Sequence, residues 1–516
     1  MLIPASLDHL DADARQWMQD LLTRLQDQEL RLTNQDQELH WRQSKIDKLT
    51  HELAVLKRQK FGARSEQYIG EQAQLFEETL DSDLAALETE IEPLTPTRSG
   101  QEKRQPKRTP LPADLPRTDI HHEPDSTTCA CGCQLKRIGE DVAEKLDYTP
   151  GVFTIERHIR GKWVCASCET LTQAPVPAHV IDKGIPTTGL LAQVLIAKYL
   201  DHLPLYRQEA IFGRAGLAIA RSTLAQWVGQ CGVALQPLVD ALKDVMLTYP
   251  VLHADETPVA MLDPGAGKTK RAYLWSYSVG AFEPIKAVVY DFAESRAGKH
   301  AEAFLGDWRG TLVCDDYAGY KALLAKGLTE AGCMAHARRK FFDLFHQHQS
   351  QIAGEALEFF GRLYAVEREG AGLSTDERWR IRQEKARPIA DESHAWLIRQ
   401  RQLVPHGSAT AKAIDYSLKR WVALTHYLTD GQVPIDNNWI ENQIRPIALG
   451  RKNWLFAGSL RAGQRAAAVM SLIQSTKLNG HDPFEYIKDV LTRLPTQKAS
   501  RVGELLPHRW QIEKNC

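Results

Sequence analysis

Apolar residues recur every seven positions along the first sixty residues of the chain. The repeat is formed by Met18, Leu25, Leu32, Leu39, Ile46 and Leu53. Leucines also occupy the partner positions of the heptad, at Leu21, Leu49 and Leu56. Polar side chains interrupt the middle of this seam, at Gln28, Gln35 and Arg42. The pattern predicts a coiled coil over residues 1–62, most simply with a second copy of the chain. The alternative is a helix packed on its own domain.

The apolar periodicity is lost over residues 63–118. This stretch is first acidic and then rich in proline. Its proline-rich part also holds a basic run made up of Lys103, Arg104, Lys107 and Arg108. The composition predicts a flexible linker. Its basic run could contact DNA phosphates or simply be solvated.

A helical pattern follows over 181–247. Within 207–232 one helix ends near Gly216, a turn follows, and Ser222 could cap a second helix. This spacing fits a helix-turn-helix. Its candidate DNA contacts are Arg214, Arg221 and Gln226. Helix pairs joined by a short glycine turn are common in helical domains, so a purely structural role stays open.

Four apolar runs after residue 249 predict β-strands, at 251–255, 272–279, 285–292 and 311–315. The first and the fourth run each end in a carboxylate, Asp255 and Asp315. Three sequential strands and a later one suit an RNase H-like α/β sheet, in which the first and fourth strands are adjacent. We therefore expect Asp255 and Asp315 to lie close together. The alternative is that each carboxylate only anchors a turn.

A third acid, Glu441, lies near the start of a predicted helix. Asn438 resembles an N-cap residue, so Glu441 would be the third helical residue, and its simplest role is that of a capping-box glutamate. Three acids at the expected ends of elements of one fold favour a shared site over three separate turn or capping residues. Clustered carboxylates resist ionisation until a cation neutralises them, and Mg²⁺ prefers oxygen ligands. Two such ions can support an in-line displacement at a phosphodiester.

Basic residues flank the second and third acids. They are Arg338, Arg339 and Lys340 in one run, and Arg445, Arg451 and Lys452 after Glu441. These side chains could hold DNA or form a solvated surface. His336 could orient a scissile phosphate or be a core histidine. The chain has no G-x-x-x-x-G-K-[ST] loop, so we expect no ATP requirement.

The composition limits where nucleic acid could bind. The chain has 516 residues, 64 Lys and Arg, and 65 Asp and Glu, for a net charge of -1. Any nucleic-acid surface must therefore be a local patch. The sequence shows neither a signal peptide nor an apolar run long enough to span a bilayer. We expect a soluble, cytoplasmic protein without a membrane partner.

Five of the nine cysteines are clustered between residues 129 and 168. In a reducing compartment this clustering indicates metal binding more than disulfides. Cys165 and Cys168 form a C-x-x-C knuckle, whereas Cys129, Cys131 and Cys133 alternate, so only two of those three need bind. Four thiolates predict a closed structural zinc site in a ribbon. The alternative is a set of reduced thiols without metal.

These motifs resemble those of transposases of the insertion sequence 66 family of bacterial mobile elements. The similar segments include HADETPV at 253–259, CDDYAGYK at 314–321, GCMAHARRKFFDL at 332–344 and IDNNWIENQIRPIALGRKNWLFAGS at 435–459. KRQKFGARSE at 57–66, the two cysteine knuckles and SLIQSTKLNGHDPFEYI at 471–487 also match. The similarity follows the family's order over nearly the whole chain.

The resemblance implies a multidomain protein of mixed α+β and α/β architecture. Its expected parts are a leucine-zipper coiled coil (1–62), a linker (63–118), a zinc ribbon (119–180), a helical DNA-binding segment (181–247), an RNase H-like catalytic domain with three acidic residues, abbreviated DDE (248–460, with a helical insertion at about 346–430), and a C-terminal helical region (461–516). The resemblance also implies which residues form the catalytic and zinc sites.

The catalytic, magnesium-binding acids are Asp255, Asp315 and Glu441. The zinc ligands are Cys129, Cys131, Cys165 and Cys168, with Cys133 as a substitute.

Two positions depart from the family's pattern. The family usually has a small residue after the second acid, where this chain has Asp316, so either Asp315 or Asp316 could bind the metal. Thr128 stands where a cysteine is common in the first knuckle. Cys129 or Cys133 would replace that cysteine.

The reaction implied by the resemblance is Mg²⁺- or Mn²⁺-dependent cleavage and strand transfer at the ends of an insertion sequence. The implied partners are double-stranded DNA of the element ends and the target, a second copy of the chain in a dimer or higher oligomer, and small accessory proteins of the same element. The protein would be associated with the bacterial nucleoid. Two other functions stay open: an inactive DNA-binding relative, and an RNase H-like nuclease that cuts without joining.

Overall fold

The computed structural model describes residues 12–61, 71–94, 111–113, 115–149, 152–181, 184–263, 266 and 268–511. The chain forms two compact units. The first unit comprises Met1–Arg64 and Ala86–Lys107, and the second comprises Ser65–Ala85 and Arg108–Cys516. Among the helices in the described ranges, none is both long and apolar enough to cross a membrane.

The first unit contains one long helix, α1 (Ala12–Phe61). Its 50 residues would extend over about 75 Å at 1.5 Å per residue. The heptad leucines Leu25, Leu32 and Leu39 are 46%, 61% and 62% exposed. The N-terminal part of the predicted coiled-coil seam is therefore an exposed apolar stripe, whereas Leu49, further along the same seam, is 3% exposed.

Helix α2 (Glu71–Ile91) continues from the second unit into the first. The prediction of a flexible linker over 63–118 is wrong for this stretch. Leu80 and Leu84 lie one helical turn apart and are buried, so the segment has an apolar face despite its acidic composition. Its acids Glu78 and Asp83, which belong to the second unit, are buried as well and pair within that unit with Lys198 and Arg465.

The second unit contains nine strands and fourteen further helices in its described residues. The strands are β1 (Arg117–His122), β2 (Leu135–Thr149), β3 (Val152–Cys165), β4 (Leu171–Gln173), β5 (Val251–Asp263), β6 (Lys268–Val279), β7 (Val288–Ala293), β8 (Thr311–Cys314) and β9 (Thr329–Gly332). The helices are α3 (Thr188–Tyr199), α4 (Leu205–Arg214), α5 (Arg221–Met246), α6 (Lys299–Leu305), α7 (Lys321–Ala325), α8 (Met334–His348), α9 (Gln351–Glu369), α10 (Thr375–Ile381), α11 (Arg387–Leu403), α12 (Ala409–Lys419), α13 (Trp421–Leu424), α14 (Asn438–Trp454), α15 (Leu460–Leu478) and α16 (Pro483–Arg493).

The first sheet is formed by β1 to β4. Strands β2 and β3 pair antiparallel, with Leu135 opposite Cys165, while β1 lies parallel to β3 on its other side. At the far end of the hairpin, Leu146 and Ile155 are fully buried in the main core with helix α3. The sheet is thus anchored in the core at one end and carries the cysteine knuckles at the other.

The second sheet has the strand order β7-β6-β5-β8-β9. Strands β5, β6 and β7 form an antiparallel meander, and β5, β8 and β9 are parallel. The predicted adjacency of the first and fourth strands is confirmed. The short edge strand β9 was not predicted, because TEAG has neither an apolar run nor an alternation that would mark a strand.

Helices fill the chain between β9 and α14, where the sequence predicts a helical insertion. Helices α8 to α13 share a second hydrophobic core, in which Phe341 and Ile414 are fully buried.

Arg382 lies at 0% exposure between α10 and α11. It donates hydrogen bonds of 2.8 and 2.7 Å to the carboxylate of Glu367. It also donates to the backbone carbonyls of Tyr427, Asp430 and Val433 at 2.8, 2.8 and 2.9 Å. Arg382 therefore fixes the segment through which the chain returns towards α14.

We expect Arg382→Ala to lower the free energy of unfolding by about 3–5 kcal/mol, because it leaves the Glu367 carboxylate and three carbonyls without their donor. Arg380→Ala, an exposed arginine on the adjacent helix, should change it by less than about 0.5 kcal/mol. Urea denaturation followed by circular dichroism measures both. Equal effects of the two substitutions would contradict the anchoring role of Arg382.

Candidate catalytic and metal sites

The two predicted aspartates lie just beyond the paired residues of adjacent parallel strands. Asp315 directly follows β8, whereas Asp255 lies within β5, so the prediction that the first strand ends at Asp255 is wrong. The register pairs His253 of β5 with Val313 of β8, so Asp255 and Asp315 each follow two residues later on the same face. Burial raises the pKa of Asp255 to about 8, and the carboxylates of Glu256, Glu441 and Asp315 act in the same direction. The structure therefore brings all three predicted acids into one electrostatic cluster.

Asp315 and Asp316 point to different surroundings. Asp315 accepts a hydrogen bond from the backbone N–H of Tyr317 at 3.0 Å, and its negative charge helps to raise the pKa of Asp255. Asp316 is exposed and pairs with Arg420, which also binds Glu330. The geometry favours Asp315 as the second acid of the cluster.

Glu441 lies in the first turn of α14, where the helix dipole favours a carboxylate. The expectation that Asn438 caps this helix and that Glu441 completes a capping box is wrong. The N-cap residue is Asn437, and its side chain makes no capping hydrogen bond. The carboxylate of Glu441 is instead available to the cluster of acids.

The side chain of Asn437 ties the start of α14 to β5. Asn437 is 1% exposed, and its Oδ1 lies 2.7 Å from Nδ1 of the fully buried His253. Its Nδ2 donates to the carbonyl of Ala254 at 2.9 Å. Burial lowers the pKa of His253 to about 4, so the imidazole is neutral and donates from Nδ1. Both bonds hold the helix that carries Glu441 beside the strand that carries Asp255.

These residues fit a divalent cation. Oε1 of Glu441 is buried and has no hydrogen-bond partner in the described part of the chain. Asp255 has no basic side chain within ion-pair distance among the described residues, and its carboxylate lies among other acids. A cation bound by Asp255, Asp315 and Glu441 would relieve that repulsion, and oxygen donors suit Mg²⁺ or Mn²⁺.

Cys333 and His336 also approach Glu441, and the sequence did not predict this contact. The donor atoms of the three residues lie within 4.8 Å of one another. Nδ1 of His336 is 3.7 Å from Oε1 of Glu441, and Nη2 of Arg339 is 3.6 Å from Oε2. Burial raises the pKa of the Cys333 thiol to about 12. The C-x-x-H spacing of Cys333 and His336 was the signal that could have identified the pair.

The predicted basic residues fall into three groups. Arg338, Lys340, Arg445 and Lys452 are exposed, Arg339 pairs with Glu441, and Arg451 is half-buried. Arg451 donates to the carbonyl of Pro258 and to Oγ1 of Thr257, so it holds α14 to β5. On α14, Glu441, Arg445 and Lys452 are spaced four and seven residues apart and therefore share one helix face. The positively charged side chains of Arg445 and Lys452 therefore lie on the same helix face as Glu441.

The predicted helix-turn-helix consists of α4 and α5, joined by a turn in which Gly216 has φ 81°. The expectation that Ser222 caps the second helix is wrong. Helix α5 begins at Arg221, and the preceding residue, Ala220, offers no side-chain cap. Nη2 of Arg221 donates to Glu77 at 2.7 Å, so this predicted DNA contact is engaged within the protein. Arg214 and Gln226 are exposed.

The cysteine knuckles meet because β2 begins after the first and β3 ends at the second. The sulfurs of Cys129, Cys131, Cys165 and Cys168 lie within 4.8 Å of one another. Cys133 lies outside this group, with its sulfur 3.1 Å from Oγ of Ser167. Hydrogen bonding by Thr170 lowers the pKa of Cys168 to about 6, which favours the thiolate that zinc requires. The group of four is the predicted ligand set and fits a structural zinc site.

We expect Cys168→Ser to lose one tightly bound zinc per chain relative to the parent protein, because it removes a member of the four-sulfur group. Cys133→Ser should retain that zinc. Atomic emission after dialysis against metal-free buffer measures the zinc content of both variants. Loss of zinc from Cys133→Ser alone would show that the first knuckle uses a different pair.

Comparison with known proteins places these features in one family. A model described as Transposase IS66 family matches residues 183–465. Models for a zinc-finger binding domain of transposase IS66, the IS66 C-terminal element and the Transposase C of IS166 homeodomain match residues 126–169, 471–508 and 48–120.

Similar proteins occur in Sinorhizobium fredii. The uncharacterized protein y4qI is 37% identical over 495 residues, which cover 92% of this chain and 90% of that protein. The uncharacterized protein y4jD is 38% identical over 422 residues, which cover 78% of this chain and 82% of that protein. The predicted family is confirmed: the chain belongs to the IS66 family of transposases.

Proposed function

We propose that this transposase catalyses metal-dependent cleavage and strand transfer at the ends of a bacterial insertion sequence, with Asp255, Asp315 and Glu441 as its catalytic acids. The observation that carries the proposal is the register of β5 and β8, in which Asp255 and Asp315 each lie two residues beyond the last paired residues, His253 and Val313. Asn437 holds the helix of the third acid at the same place. The charges of Asp315 and Glu441 both raise the pKa of Asp255, which supports the grouping of these three acids.

The strand order supports an RNase H-like catalytic domain. An antiparallel meander of three strands, with a fourth and a fifth strand parallel to the first, is the arrangement expected for that fold. The helical insertion lies between the second and third acids. After the insertion the chain begins α14, which carries Glu441 to the two aspartates.

The chemistry requires two successive attacks on phosphorus. Water attacks the phosphodiester at the tip of the element, which breaks the P–O3′ bond and frees a 3′-hydroxyl. That hydroxyl then attacks a target phosphodiester, forms a new P–O bond and displaces the target's 3′-oxygen, while its proton passes to solvent. Bound Mg²⁺ or Mn²⁺ supplies charge stabilisation for the attacking and leaving oxygens. No covalent protein–DNA bond forms, so no serine or tyrosine nucleophile is required.

The chain's own residues hold the DNA and the metal. The three acids bind the cations. The exposed Arg338, Lys340, Arg445 and Lys452 bind phosphates near them, and the salt dependence of DNA binding would follow from these contacts. The zinc-binding sheet and the α4–α5 pair are the other proposed DNA-binding parts. Arg221 would contact DNA only after release from Glu77.

The apolar stripe of α1 supports a dimer or higher oligomer. Leu25, Leu32 and Leu39 are spaced by seven residues and exposed, as expected of a seam that a partner helix covers. A dimer would bring two catalytic sites to the two ends of the element. Accessory proteins of the same element would join this assembly.

We expect Asp255→Asn and Glu441→Gln each to lower the rate of nicking at the element tip by about 100-fold or more, because each removes a negatively charged cation ligand. Labelled DNA carrying the element's ends, incubated with Mg²⁺ or Mn²⁺, measures nicking and joining. Asp316→Asn is the matched control and should act like the parent protein, since its carboxylate pairs with Arg420.

Each result separates the proposed transposase from an alternative. Cleavage that persists in both variants would overturn the assignment of the acids. Cleavage without joined products would indicate a nuclease. End binding without cleavage would indicate an inactive relative, unless the element's accessory proteins restore cleavage.

We expect Leu32→Lys combined with Leu39→Lys to convert the oligomer to a monomer, because the substitutions place charges in the seam. Leu30→Lys is the matched control, since Leu30 is 62% exposed on the same helix but outside the seam. Sedimentation velocity measures the mass of each variant. A parent protein that is already monomeric would contradict the coiled coil.

A further inference from the structure

The first turns of α8 and α14 lie next to each other. Cys333 is the N-cap residue of α8, and His336 follows within its first turn. The backbone N–H of Met334 donates to the carbonyl of Ile435 at 3.1 Å, and that of Asn437 donates to the sulfur of Cys333 at 3.2 Å. These two bonds fix the thiol and the imidazole beside Glu441.

Two buried polar atoms in this cluster lack partners. Nδ1 of His336 and Oε1 of Glu441 make no hydrogen bond in the part of the chain that the structure describes. They are 3.7 Å apart, which is too long for a hydrogen bond between them. Buried polar atoms are nearly always satisfied in folded proteins, so this pair indicates a missing ligand. Arg339 lies near the other oxygen of Glu441, which leaves Oε1 for that ligand.

We propose that Cys333, His336 and Glu441 form a second metal site, for a borderline-soft divalent cation such as Zn²⁺ or Co²⁺. Their donor atoms lie within 4.8 Å of one another, so small side-chain movements would bring all three to one ion. A sulfur and an imidazole nitrogen select zinc or cobalt over magnesium, which prefers oxygen. A thiolate and a carboxylate together carry two negative charges, which balance the two positive charges of the cation. Three protein ligands leave a fourth position for water.

The site shares Glu441 with the catalytic acids. An ion held by Cys333 and His336 withdraws this carboxylate from the Mg²⁺ site, so zinc would inhibit the reaction. This consequence rests on the proposed function, whereas the binding of the ion does not. The two sites would then compete for one carboxylate.

Metal binding tests the site without reference to catalysis. The full-length protein with zinc in its four-cysteine site is titrated with Co²⁺, and total metal is measured after removal of free ions. The parent is expected to hold about one equivalent more than Cys333→Ser or His336→Ala, and to show cobalt–thiolate absorption that Cys333→Ser lacks. Cys231→Ala, which removes a buried thiol of α5, and His346→Ala, which removes an exposed histidine of α8, should retain the extra equivalent.

Retention of the four-cysteine zinc and of the circular dichroism spectrum shows whether each variant is folded. A folded Cys333→Ser that binds as much cobalt as the parent would overturn the site. So would a parent that binds none beyond its four-cysteine site.

Inhibition tests the shared carboxylate. Micromolar Zn²⁺ added to the Mg²⁺-supported nicking reaction should slow the parent by about 10-fold or more and leave Cys333→Ser near its own rate without zinc. Equal inhibition of both would overturn the competition. If no variant nicks DNA, the cobalt titration still decides whether the site exists, so failure of the proposed function is distinguished from failure of this inference.

Discussion

The candidate site depends on contacts that hold α14 to β5, and the contact nearest to Glu441 in the chain is the buried amide of Asn437. Its two hydrogen bonds to β5 join parts of the chain that are more than 180 residues apart in sequence. The strand pairing of β5 and β8 aligns Asp255 with Asp315 through backbone bonds alone. Glu441 has no such backbone connection, because it lies on a helix. Asn437 holds α14 to β5 four residues before Glu441, and Arg451 holds the same helix to β5 ten residues after Glu441.

The helical insertion makes this arrangement possible and also restricts it. After β9 the chain forms helices α8 to α13, which share a core with Val251, Val313 and Ala331 of the sheet, and it must return at Asn437. Arg382 binds three carbonyls of the returning segment, and Tyr364 donates to Asp436 at 2.7 Å immediately before Asn437. The return point is therefore set by polar contacts within the insertion and by Asn437 at the sheet. Packing of the second core thus influences the position of the third acid over a long distance.

Much of the sheet and two of the acids could be predicted from the sequence, because both depend on local pattern. Apolar runs mark β5 to β8, and Asp315 directly follows its strand as expected. Asp255 closes the apolar run 251–255 in sequence, but β5 continues to Asp263 because its residues beyond Asp255 pair with β6. Helix α2 could not be predicted from composition. Its acids suggested solvation, yet Asp83 pairs with Arg465, 382 residues away, at 3.0 Å. A buried acid with a distant partner resembles an exposed acid in sequence. The contact between Cys333, His336 and Glu441 was missed for the same reason, since two helices meet there only in the fold.

The charges near β5 explain which acids can serve as metal ligands. Glu256 is the immediate neighbour of Asp255, and its side chain is 1% exposed. It is already satisfied, because Arg296 binds one oxygen and the hydroxyl of Tyr320 donates to the other at 2.9 Å. Asp255 instead accepts a backbone hydrogen bond of 2.9 Å from Glu256, and burial among other carboxylates raises its pKa. A cation would thus be stabilised more by Asp255 than by Glu256, because Arg296 already pairs with the Glu256 carboxylate. Of two adjacent acids in one strand, the one without a protein counterion is the one suited to bind metal.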